Sequence, residues 1–577
     1  MSTNILGVSA HYHDSAACLI SDGVVVAAAQ EEAFTRRKHD RRFPVAAMRY
    51  CLEAAGLTLA DVDWYAYYEL PELKRQRVAA SARAYYGSGP SPAALARSVA
   101  ARVGTDLGGQ FPRASRHTRL FAVEHHASHA GSAFYPSPFE EAAVMTIDGV
   151  GEFCTATIGV GTGRELRLLR QISFPHSLGL LYSAFTYYCG FTVNEGEYKL
   201  MGLAPYGRPR YADTIRSHLV RAADDGSFRL NLDYFAYLDP AAAVLINPLF
   251  EALLGRPARR PDEPIDEFFA DIAASIQAVF EFVVVAMARH ARSLTGLKNL
   301  CLAGGCMLNC VANARISAAG VFDRVWVQPA AGDAGGALGA AAYLWHGYLG
   351  NPRTAQPGDS MSGALLGPSY DDETIRLFLE SVGARYTTLS ESDLVDRTAG
   401  LLAEGKIVGW YQGRLEFGPR ALGDRSILAD PRPADMQRRL NLSIKDRETF
   451  RPFAPAVPVE DVGRFFESPD ESPYMLFTAP VADAARGDIP AVTHVDYSAR
   501  LQTVDRTRNS LFWSLITRFG ELTGVPVVVN TSFNGRGEPI VCSPEDAMRC
   551  FLRTGIDAVV MGHHLVLHRD QERITLE

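Results

Sequence analysis

The sequence predicts an α/β protein of two domains, and three observations lead to this prediction. The chain of 577 residues is longer than one hydrophobic core usually serves, so two or more domains are expected. Residues 4–30 and residues 141–171 share one layout, in which an apolar strand and a turn with an acidic residue precede two further strands. Residues 351–362 are polar and rich in Pro and Gly, and the alternating strands and helices after them are typical of a separate α/β domain.

Composition and charge narrow the class of protein. The chain is 47% hydrophobic and 21% charged, as soluble globular proteins are, and its net charge of −8 gives no overall attraction to nucleic acid or anionic membrane. The nine cysteines are scattered without a CxxC pair, so neither a disulfide framework nor a zinc ribbon is expected. Cys306 and Cys310 are predicted to be buried small residues beside a tight turn. Together with an N-terminus that opens directly into a strand, these features predict a cytoplasmic protein.

The repeated layout is the pattern of a duplicated ATPase fold. The first copy reads NILGVSA, HDSAACLISDG and VVVAAAQE, and the second reads EAAVMTIDG, EFCTATIGVGTG and ELRLLRQ. Asp14 and Asp148 occupy the corresponding turns. Such a duplicated unit followed by helices resembles the actin, sugar-kinase and heat-shock ATPase superfamily, which clamps a nucleotide between two similar halves.

Other elements follow from hydrophobic periodicity and from turn residues. Helices are predicted over ALARSVAARVG, over SLGLLYSAFTYYCGF and over residues 266–292, whose apolar part at 276–288 is expected to be too short to span a bilayer. Residues 207–265 have weak periodicity and several prolines, which predicts an insertion of uncertain structure. Strands are predicted over NLCLAGG, RVWVQPA, KIVGWYQG, VPVVVN and DAVVMG.

The stretch VEHHASHAGSAF is predicted to bring two imidazoles to one side of a helix. His125 and His129 are four residues apart, so their rings would share a face, whereas His126 would point elsewhere. Asp148 ends the buried strand AAVMTI. Two imidazoles and a carboxylate at a strand tip could bind a divalent metal with exchangeable positions. Taken alone, however, so short a motif favours ordinary helix histidines and a turn aspartate.

Two further stretches leave their alternatives open. In AGDAGGALGAAAY, glycines 332, 335 and 336 around Asp333 would let backbone amides approach a phosphate or would place the carboxylate at a helix start. A plain glycine-rich helix start fits equally well. The basic run near the N-terminus is either a solvated loop or a phosphate contact; it comprises Arg36, Arg37, Lys38, Arg41 and Arg42.

Four fragments taken together point to one family. They are HHASHA with TIDGVGE, EYKLMGLAPYG, GRLEFGPRALGDRSI and NTSFNGRGEPIV. Over nearly its whole length the chain resembles the O-carbamoyltransferases of nodulation-factor and antibiotic biosynthesis. That family joins a domain like the universal tRNA threonylcarbamoyltransferase to a YrdC-like domain, which makes carbamoyl adenylates. The corresponding domains here are 1–350 and 363–577, with 351–362 as the linker.

The resemblance implies two sets of ligand-binding residues. A metal, usually iron(II), is implied at His125, His129, Asp148 and Asp333, although Mn(II) or Zn(II) suits such ligands as well. Carbamoyl phosphate and ATP are implied in a C-terminal pocket lined by Arg420, Lys445, Arg451, Arg500, Asn530 and Ser532. Arginine suits this pocket because its planar fork binds phosphate oxygens in pairs.

The resemblance also implies residues around the transferring carbamoyl group. His13 and Lys38 match these positions, where a neutral histidine could take a proton from the acceptor hydroxyl and a lysine could stabilise phosphate charge. His11 is an alternative to His13. Gly304 and Gly305, with Gly332, correspond to nucleotide-binding turns of the ATPase superfamily.

The implied activity is ATP-dependent O-carbamoylation of a small molecule, with Mg-ATP and Fe(II) or another divalent metal as cofactors. Carbamoyl phosphate and a hydroxyl acceptor are the expected partners, without nucleic acid or membrane, and a homodimer fits a chain of this size. The alternatives are a tRNA threonylcarbamoylation enzyme, a small-molecule kinase of the actin superfamily and a nucleotide-gated binding protein. The sequence does not predict the acceptor.

Overall fold

The computed structural model describes residues 2–86, 118–239, 244–468, 471–571 and 574, and the predicted helix over ALARSVAARVG lies outside these ranges. The contacts divide the chain into two compact units. The N-terminal unit comprises residues 1–31 and 39–360, and the C-terminal unit comprises residues 32–38 and 361–577. Residues 32–38 therefore belong to the C-terminal unit, although the chain on both sides of them belongs to the N-terminal unit. The domain division predicted from the sequence places them in the N-terminal domain, 1–350.

The first part of the predicted linker is packed into the N-terminal unit. The side chain of Arg353 is buried, and its guanidinium group lies 4.3 Å from the centre of the Phe134 ring. The same group donates hydrogen bonds to the carbonyl oxygens of Phe134, Tyr135, Ser137 and Phe139 at 2.7–2.9 Å. Residues up to 360 are thus held in place by a buried cation, and the units divide between residues 360 and 361.

Two sheets of the N-terminal unit share one topology. The first has the strand order β3-β2-β1-β4-β5, and the second has the order β8-β7-β6-β11-β12. In each sheet the first three strands are antiparallel, and the last two run parallel to the central strand. This repetition confirms the duplicated strand layout. The strands are β1 (Asn4–Ser9), β2 (Ala16–Ser21), β3 (Val24–Gln30), β4 (Trp64–Tyr67), β5 (Arg119–Ala122), β6 (Glu141–Ile147), β7 (Cys154–Thr162), β8 (Glu165–Ser173), β9 (Val220–Ala222), β10 (Phe228–Leu230), β11 (Asn299–Ala303) and β12 (Arg324–Val327).

Helices follow these strands, and most of them pack within the N-terminal unit. The first helix, α1 (Glu32–Thr35), belongs to the C-terminal unit. The insertion at 207–265 contains only short described elements, the hairpin of β9 and β10 among them. Helices of the N-terminal unit are α2 (Val45–Glu53), α3 (Pro71–Tyr86), α4 (His125–Phe134), α5 (Leu178–Tyr188), α6 (Glu197–Leu203), α7 (Ala212–Thr214), α8 (Pro248–Leu254), α9 (Glu267–Thr295), α10 (Cys310–Ala318) and α11 (Asp333–Ala342).

The long helix α9 corrects the expectation about the apolar stretch at 276–288. Asp266 caps its first turn, and its 29 residues are long and apolar enough to cross a membrane by length and composition. The expectation that this stretch is too short was therefore wrong. Of its most apolar window, 72% is buried inside the structure, so packing against the rest of the unit accounts for its apolar character.

The C-terminal unit is a mixed sheet with helices on both faces. Alternate residues of its strands face opposite sides: Trp410 packs with helices α13 and α16, whereas Tyr411 packs on the side of α12 and α17. The strand order is β13-β21-β20-β14-β15-β19-β16-β18-β17. The elements are α12 (Asp372–Ser381), β13 (Thr387–Thr388), α13 (Glu391–Ala403), β14 (Val408–Tyr411), β15 (Arg425–Ala429), α14 (Met436–Arg439), β16 (Ala454–Pro458), α15 (Val462–Phe465), β17 (Phe477–Pro480), β18 (Ser498–Val504), α16 (Ser510–Thr523), β19 (Val528–Ser532), α17 (Pro544–Arg553), β20 (Ala558–Met561) and β21 (His564–Leu567).

Candidate metal centre and anion site

Helix α4 carries the two predicted histidines on one buried face. His125 and His129 are both buried, and their Nε2 atoms lie 3.1 Å apart. His126 points away from this pair, and its Nδ1 lies 2.7 Å from the Thr146 hydroxyl. Burial lowers the pKa of His126 to about 3, so this ring is neutral. The spacing therefore predicted correctly which rings meet.

Glu152 fixes the start of α4, and the sequence analysis missed this role. Its buried carboxylate accepts the amide N–H of His125 at 3.0 Å and that of Leu70 at 2.6 Å. A carboxylate at this position satisfies an amide of the first helical turn and interacts favourably with the positive end of the helix dipole. The available signal was the acidic residue that closes the fragment TIDGVGE.

Asp148 follows the end of β6 and is oriented by the chain after β11. The amide of Gly305 donates to Asp148 Oδ1 at 3.0 Å, while Asp148 Oδ2 faces His125. Gly304 has φ +94°, and a Cβ there would lie 2.2 Å from the carbonyl oxygen of Ile147. Only glycine fits this close approach of two chains. The predicted nucleotide-binding glycines 304 and 305 thus lie beside the candidate metal centre.

Asp333 is brought to the histidines by close packing of α11 against α4. It is the first residue of α11 and is fully buried. A Cβ on Gly339 would lie 1.8 Å from the carbonyl oxygen of Ser128, so the two helix backbones touch there. Of the alternatives for AGDAGG, the structure supports a carboxylate at a helix start. Gly332 caps α11, and its predicted nucleotide contact stays a prediction.

His125, His129, Asp148 and Asp333 form what we call the metal-ligand cluster. Asp148 Oδ2 lies 3.0 Å from His125 Nε2 and 3.6 Å from His129 Nε2. Asp333 Oδ1 lies 3.7 Å from His125 Nε2 and 3.6 Å from His129 Nε2. One ligand atom from each of the four residues lies within 4.8 Å of the others. The structure therefore brings together all four predicted metal ligands.

The donor set fits a divalent cation. Asp333 Oδ1 is buried without a hydrogen-bond partner in the described part of the chain, although it lies beside two imidazole nitrogens. Two nitrogen and two carboxylate oxygen donors that converge in this way suit Fe(II), Mn(II) or Zn(II). Without a cation, His129 can supply positive charge by protonation. Burial opposes this, but hydrogen bonds and charges of Asp148 and Asp333 outweigh it and raise the pKa of His129 to about 9.

His13 lies close to the metal-ligand cluster. Its Nδ1 is 2.9 Å from Asp14 Oδ2. Burial opposes protonation, but the Asp333 charge and the Asp14 hydrogen bond outweigh it and raise the pKa of His13 to about 10. A cation bound to Asp333 would offset part of this effect. The ring centre of His11 lies 6.1 Å from that of Phe43, and the choice of His13 over His11 stays a prediction.

Lys38 belongs to the C-terminal unit, which differs from its predicted place in the N-terminal domain. The segment 32–38 packs there through Ala33, which contacts Leu415 and Cys542. Arg36 donates to the carbonyl oxygens of Pro539 and Ile540 and pairs with Asp546 at 3.2 Å. The domain predicted over residues 1–350 contained Lys38, but these non-local contacts hold its segment in the other unit.

Lys445 is the centre of a group of positive charges in the C-terminal unit. It is buried, and the four oxygen atoms that accept hydrogen bonds from its ammonium group belong to the uncharged residues Ser532 and Asn534. Burial holds the pKa of Lys445 well below its usual value, and neighbouring positive charges lower it further. We call Lys445 and these neighbours the cation cluster: Lys38, Lys445, Arg447 and Arg451.

The other predicted phosphate-binding residues lie around strand β19. Asn530 Nδ2 donates to Gln502 Oε1 at 2.7 Å and to the carbonyl oxygen of Ala421 at 3.3 Å, so its donors are used within the protein. The predicted hydrogen bond from Asn530 to phosphate stays a prediction. The contacts of Asn530 link β19 to the loop that carries Arg420 and to β18, which carries Arg500 on the same face as Gln502.

Glu416 shapes the loop that carries Arg420, and the sequence analysis did not assign it a role. Its buried Oε1 accepts the amides of Leu422, Asp424 and Arg425 at 2.7, 3.0 and 3.3 Å. Burial and the Glu416 charge raise the pKa of Asp424 to about 8. In the sequence, the carboxylate that precedes the glycine in EFGPRALG could have indicated this role of Glu416.

Comparison with known proteins places the chain in a family. The model described as Carbamoyltransferase N-terminus matches residues 4–342, and the one described as Carbamoyltransferase C-terminus matches residues 399–568. A Synechocystis protein described as uncharacterized is 49% identical, covering 98% of this chain and 96% of its own. Nodulation protein NolNO of Sinorhizobium fredii is 40% identical, covering 96% of this chain and 79% of its own.

More distant similarities include an enzyme named for its reaction. The 3'-hydroxymethylcephem-O-carbamoyltransferase of Amycolatopsis lactamdurans is 31% identical, covering 78% of this chain and 80% of its own. Among solved structures, full-length HypF in its phosphate- and nucleotide-bound form is 13% identical with a TM-score of 0.33, covering 60% of this chain and 56% of its own. The two matched models together span most of the sequence, and the chain belongs to the carbamoyltransferase family of NolNO and the cephem O-carbamoyltransferase.

Proposed function

We propose that this carbamoyltransferase uses ATP and carbamoyl phosphate to carbamoylate a hydroxyl group of a small molecule. The observation that carries the proposal is Lys445, a buried ammonium group whose hydrogen-bond partners are uncharged and whose charged neighbours are cations. A phosphate dianion is well suited to keep this lysine protonated, because its charge offsets both the burial of the ammonium group and the neighbouring positive charges. In the same chain, the metal-ligand cluster offers a separate site of opposite character.

The first step is assigned to the C-terminal unit. Water cleaves carbamoyl phosphate to carbamate and inorganic phosphate, and a carbamate oxygen then attacks the α-phosphorus of ATP. The bond to the β-phosphate breaks, so the products are carbamoyl adenylate and pyrophosphate. Lys445 and Arg451 would bind the phosphate groups, while Asn530 would keep Arg420 and Arg500 in position through its contacts with Ala421 and Gln502.

The second step is assigned to the N-terminal unit. The acceptor hydroxyl oxygen attacks the carbamoyl carbon and loses its proton, and the bond to AMP breaks. A metal held by His125, His129, Asp148 and Asp333 would supply Lewis-acid stabilisation of negative charge on oxygen. His13 lies beside this cluster and would exchange the proton through the ring nitrogen that does not face Asp14.

The finer assignments made from sequence are part of the same proposal. The N-terminal unit would be a duplicated domain of the actin and sugar-kinase type, and the C-terminal unit would be YrdC-like. Fe(II) and Mg-ATP would be the cofactors, and the protein would act in the cytoplasm on a small natural product or sugar. The name of the cephem carbamoyltransferase relative is compatible with such an acceptor.

Pyrophosphate release by the full-length protein tests the proposal. The protein, ATP, Mg(II), Fe(II) and carbamoyl phosphate would be mixed, and pyrophosphate, AMP and ADP would be measured for wild type, Lys445→Ala and His129→Ala. We expect wild type and His129→Ala to form pyrophosphate, whereas Lys445→Ala forms little because its phosphate contact is lost. Lys406→Ala, a partly exposed lysine of the same unit, is the control.

Two outcomes would contradict the proposal. Formation of ADP in place of AMP and pyrophosphate would indicate kinase chemistry. Equal loss of pyrophosphate in His129→Ala and Lys445→Ala would mean that the two steps do not occupy separate sites.

A further inference from the structure

Asp14 lies between two imidazole rings. Its Oδ2 is 2.9 Å from His13 Nδ1, and its Oδ1 is 2.8 Å from His39 Nδ1. An ionised carboxylate only accepts hydrogen bonds, so both Nδ1 atoms must carry a proton. The other ring nitrogen of His13, Nε2, is then its atom for exchanging a proton with a substrate.

The backbone around this carboxylate is held in an unusual conformation. Asp14, His39 and His11 have φ values of +51°, +55° and +74°, in the left-handed region that non-glycine residues seldom adopt. Residues held in this conformation cluster at functional sites. Backbone hydrogen bonds hold the two loops together, because the His11 and Ser15 amides donate to the carbonyl oxygens of Arg41 and Asp40, both at 2.9 Å.

This loop faces the metal-ligand cluster. The Tyr68 hydroxyl lies 3.2 Å from the carbonyl oxygen of Ala10 and 3.5 Å from Asp333 Oδ2, which links the start of the loop to the cluster. Negative charge on Asp333 also stabilises the protonated form of His13. The Tyr12 ring centre lies 4.5 Å from that of His13. His13 is therefore within electrostatic reach of the carboxylates beside which the carbamoyl group would be transferred.

We propose that Asp14 is a positioning residue of the transfer site, which holds the Nδ1–H of His13 and thereby directs Nε2 toward the reacting groups. His39 is its partner in this role, because its Nδ1–H occupies the second carboxylate oxygen and prevents the carboxylate from turning away from His13. The inference rests on the proposed function, since it assumes that transfer takes place beside the metal-ligand cluster. The inference concerns the orientation of the His13 ring and does not depend on the charge of that ring.

Asp14→Asn separates this role from a general effect on folding. Asparagine keeps the shape of aspartate and tolerates the left-handed backbone, but its amide offers one acceptor and one donor. The histidine that faces the amide nitrogen must then adopt the tautomer with an unprotonated Nδ1, which accepts the hydrogen bond. Loss of the correct tautomer in this way lowers kcat by up to about 10⁴-fold in enzymes that use an aspartate to orient histidine.

Ring nitrogen NMR of the full chain with ¹⁵N-labelled histidine would decide the point. Signals of His13 and His39 would be assigned with His13→Gln and His39→Gln. We expect protonated Nδ1 atoms on both rings in wild type and one unprotonated Nδ1 in Asp14→Asn. Asp22→Asn is the control, because Asp22 also has positive φ (+47°) but its carboxylate accepts the exposed Thr3 amide.

A conservative variant tests the partner role of His39. His39→Asn tolerates the backbone and keeps an N–H near the Nδ1 position, whereas His39→Ala removes it. We expect the Nδ1–H signal of His13 to be retained in His39→Asn and to shift or broaden in His39→Ala. Protonated Nδ1 atoms on both rings in Asp14→Asn, or the same change in Asp22→Asn, would overturn the inference.

Kinetics would distinguish a failure of the inference from a failure of the proposed function. Transfer to 3'-hydroxymethylcephem as a probe acceptor would be followed together with ATP–pyrophosphate exchange. We expect Asp14→Asn to lower kcat of transfer by at least about tenfold with the KM for the acceptor unchanged, and to leave exchange intact. Absence of exchange in wild type would refute the proposed function, while the NMR result would still decide the role of Asp14.

Discussion

The metal-ligand cluster and the cation cluster have opposite electrostatic requirements. In the first, two carboxylates face two imidazoles, and the cluster can balance its charge with protons or with a metal cation. In the second, burial and the positive charges of Arg447, Arg451 and Lys38 oppose the charged form of Lys445, so a bound anion would stabilise that form. The comparison teaches that the sign of the unbalanced charge at a site indicates the charge of the ligand that the site binds.

The two clusters also differ in how they are built. Ligands of the first project from a helix, the end of a strand and the start of a second helix, where regular geometry fixes their distances. Members of the second lie on irregular chain after α14 and on the segment 32–38. We expect the first cluster to keep its shape without a ligand, and the second to depend more on its anion.

Removal of a metal ligand should give the largest effect. His129→Ala should weaken Fe(II) or Zn(II) binding by more than about 100-fold, because changes in outer-sphere residues alone cost about 10–100-fold. Binding would be measured by equilibrium dialysis and elemental analysis. His126→Ala is the matched control on the same helix, since that ring binds Thr146 instead. Equal metal loss in both variants would mean that the helix, not the ligand set, was disrupted.

Ligand-induced stabilisation should single out Lys445. Carbamoyl phosphate at about 100 times its Kd should raise the free energy of unfolding of wild type by about 2.7 kcal/mol. Lys445→Met should lose most of this gain, because the anion loses its central cation, whereas Lys406→Met should keep it. Denaturant titrations with and without ligand would measure the difference. If Lys445→Met is stabilised as strongly as wild type, the cation cluster is not the anion site.

Packing of α11 against α4 should control the geometry of the metal-ligand cluster. Gly339→Ala places a Cβ 1.8 Å from the Ser128 carbonyl oxygen and should cost about 1–3 kcal/mol of unfolding free energy, together with weaker metal binding. Gly332→Ala, just before the same helix, has no atom within 4 Å of the new Cβ and should be nearly neutral. Thermal unfolding and dialysis would compare them, and similar values for the two variants would contradict the packing argument.

Competition between protons and metal should give the smallest effect. The pKa of His129 is raised from 6.5 to about 9, so its proton-linked stabilisation is fully present below pH 6.5 and is lost as the pH rises through 9. Metal needs the unprotonated ring, so its affinity should increase about tenfold between pH 7 and pH 8 and level off above about pH 9. Calorimetry in several buffers would measure this slope. Affinity that does not change with pH would show that the rings are already neutral.

The sequence predicted what local periodicity determines. Strands β1 to β3 and β6 to β8 follow from alternating apolar residues and turns, and the pairing of His125 with His129 follows from helical spacing. The resemblance added Asp333, which lies 185 residues after Asp148 in the chain and reaches it only through the contact of α11 with α4. No local pattern contains that contact.

Predictions failed where distant contacts decide the outcome. Lys38 was placed in the domain predicted over residues 1–350, but Ala33 and Arg36 hold its segment in the C-terminal unit. Residues 276–288 were taken as too short for a membrane helix because only the most apolar part of the predicted helix 266–292 was counted, whereas the full helix α9 is long enough.

The segment 32–38 determines how this protein can be divided. Because the C-terminal unit includes residues from near the N-terminus, three chain crossings connect the two units, at 31/32, 38/39 and 360/361. A protease cut after residue 360 would leave the two fragments associated, because Ala33 and Arg36 contact the C-terminal fragment. A gene that begins at residue 361 would encode the C-terminal fragment without Lys38. Exchange of the complete C-terminal unit between relatives would therefore require transplanting two separate stretches of sequence.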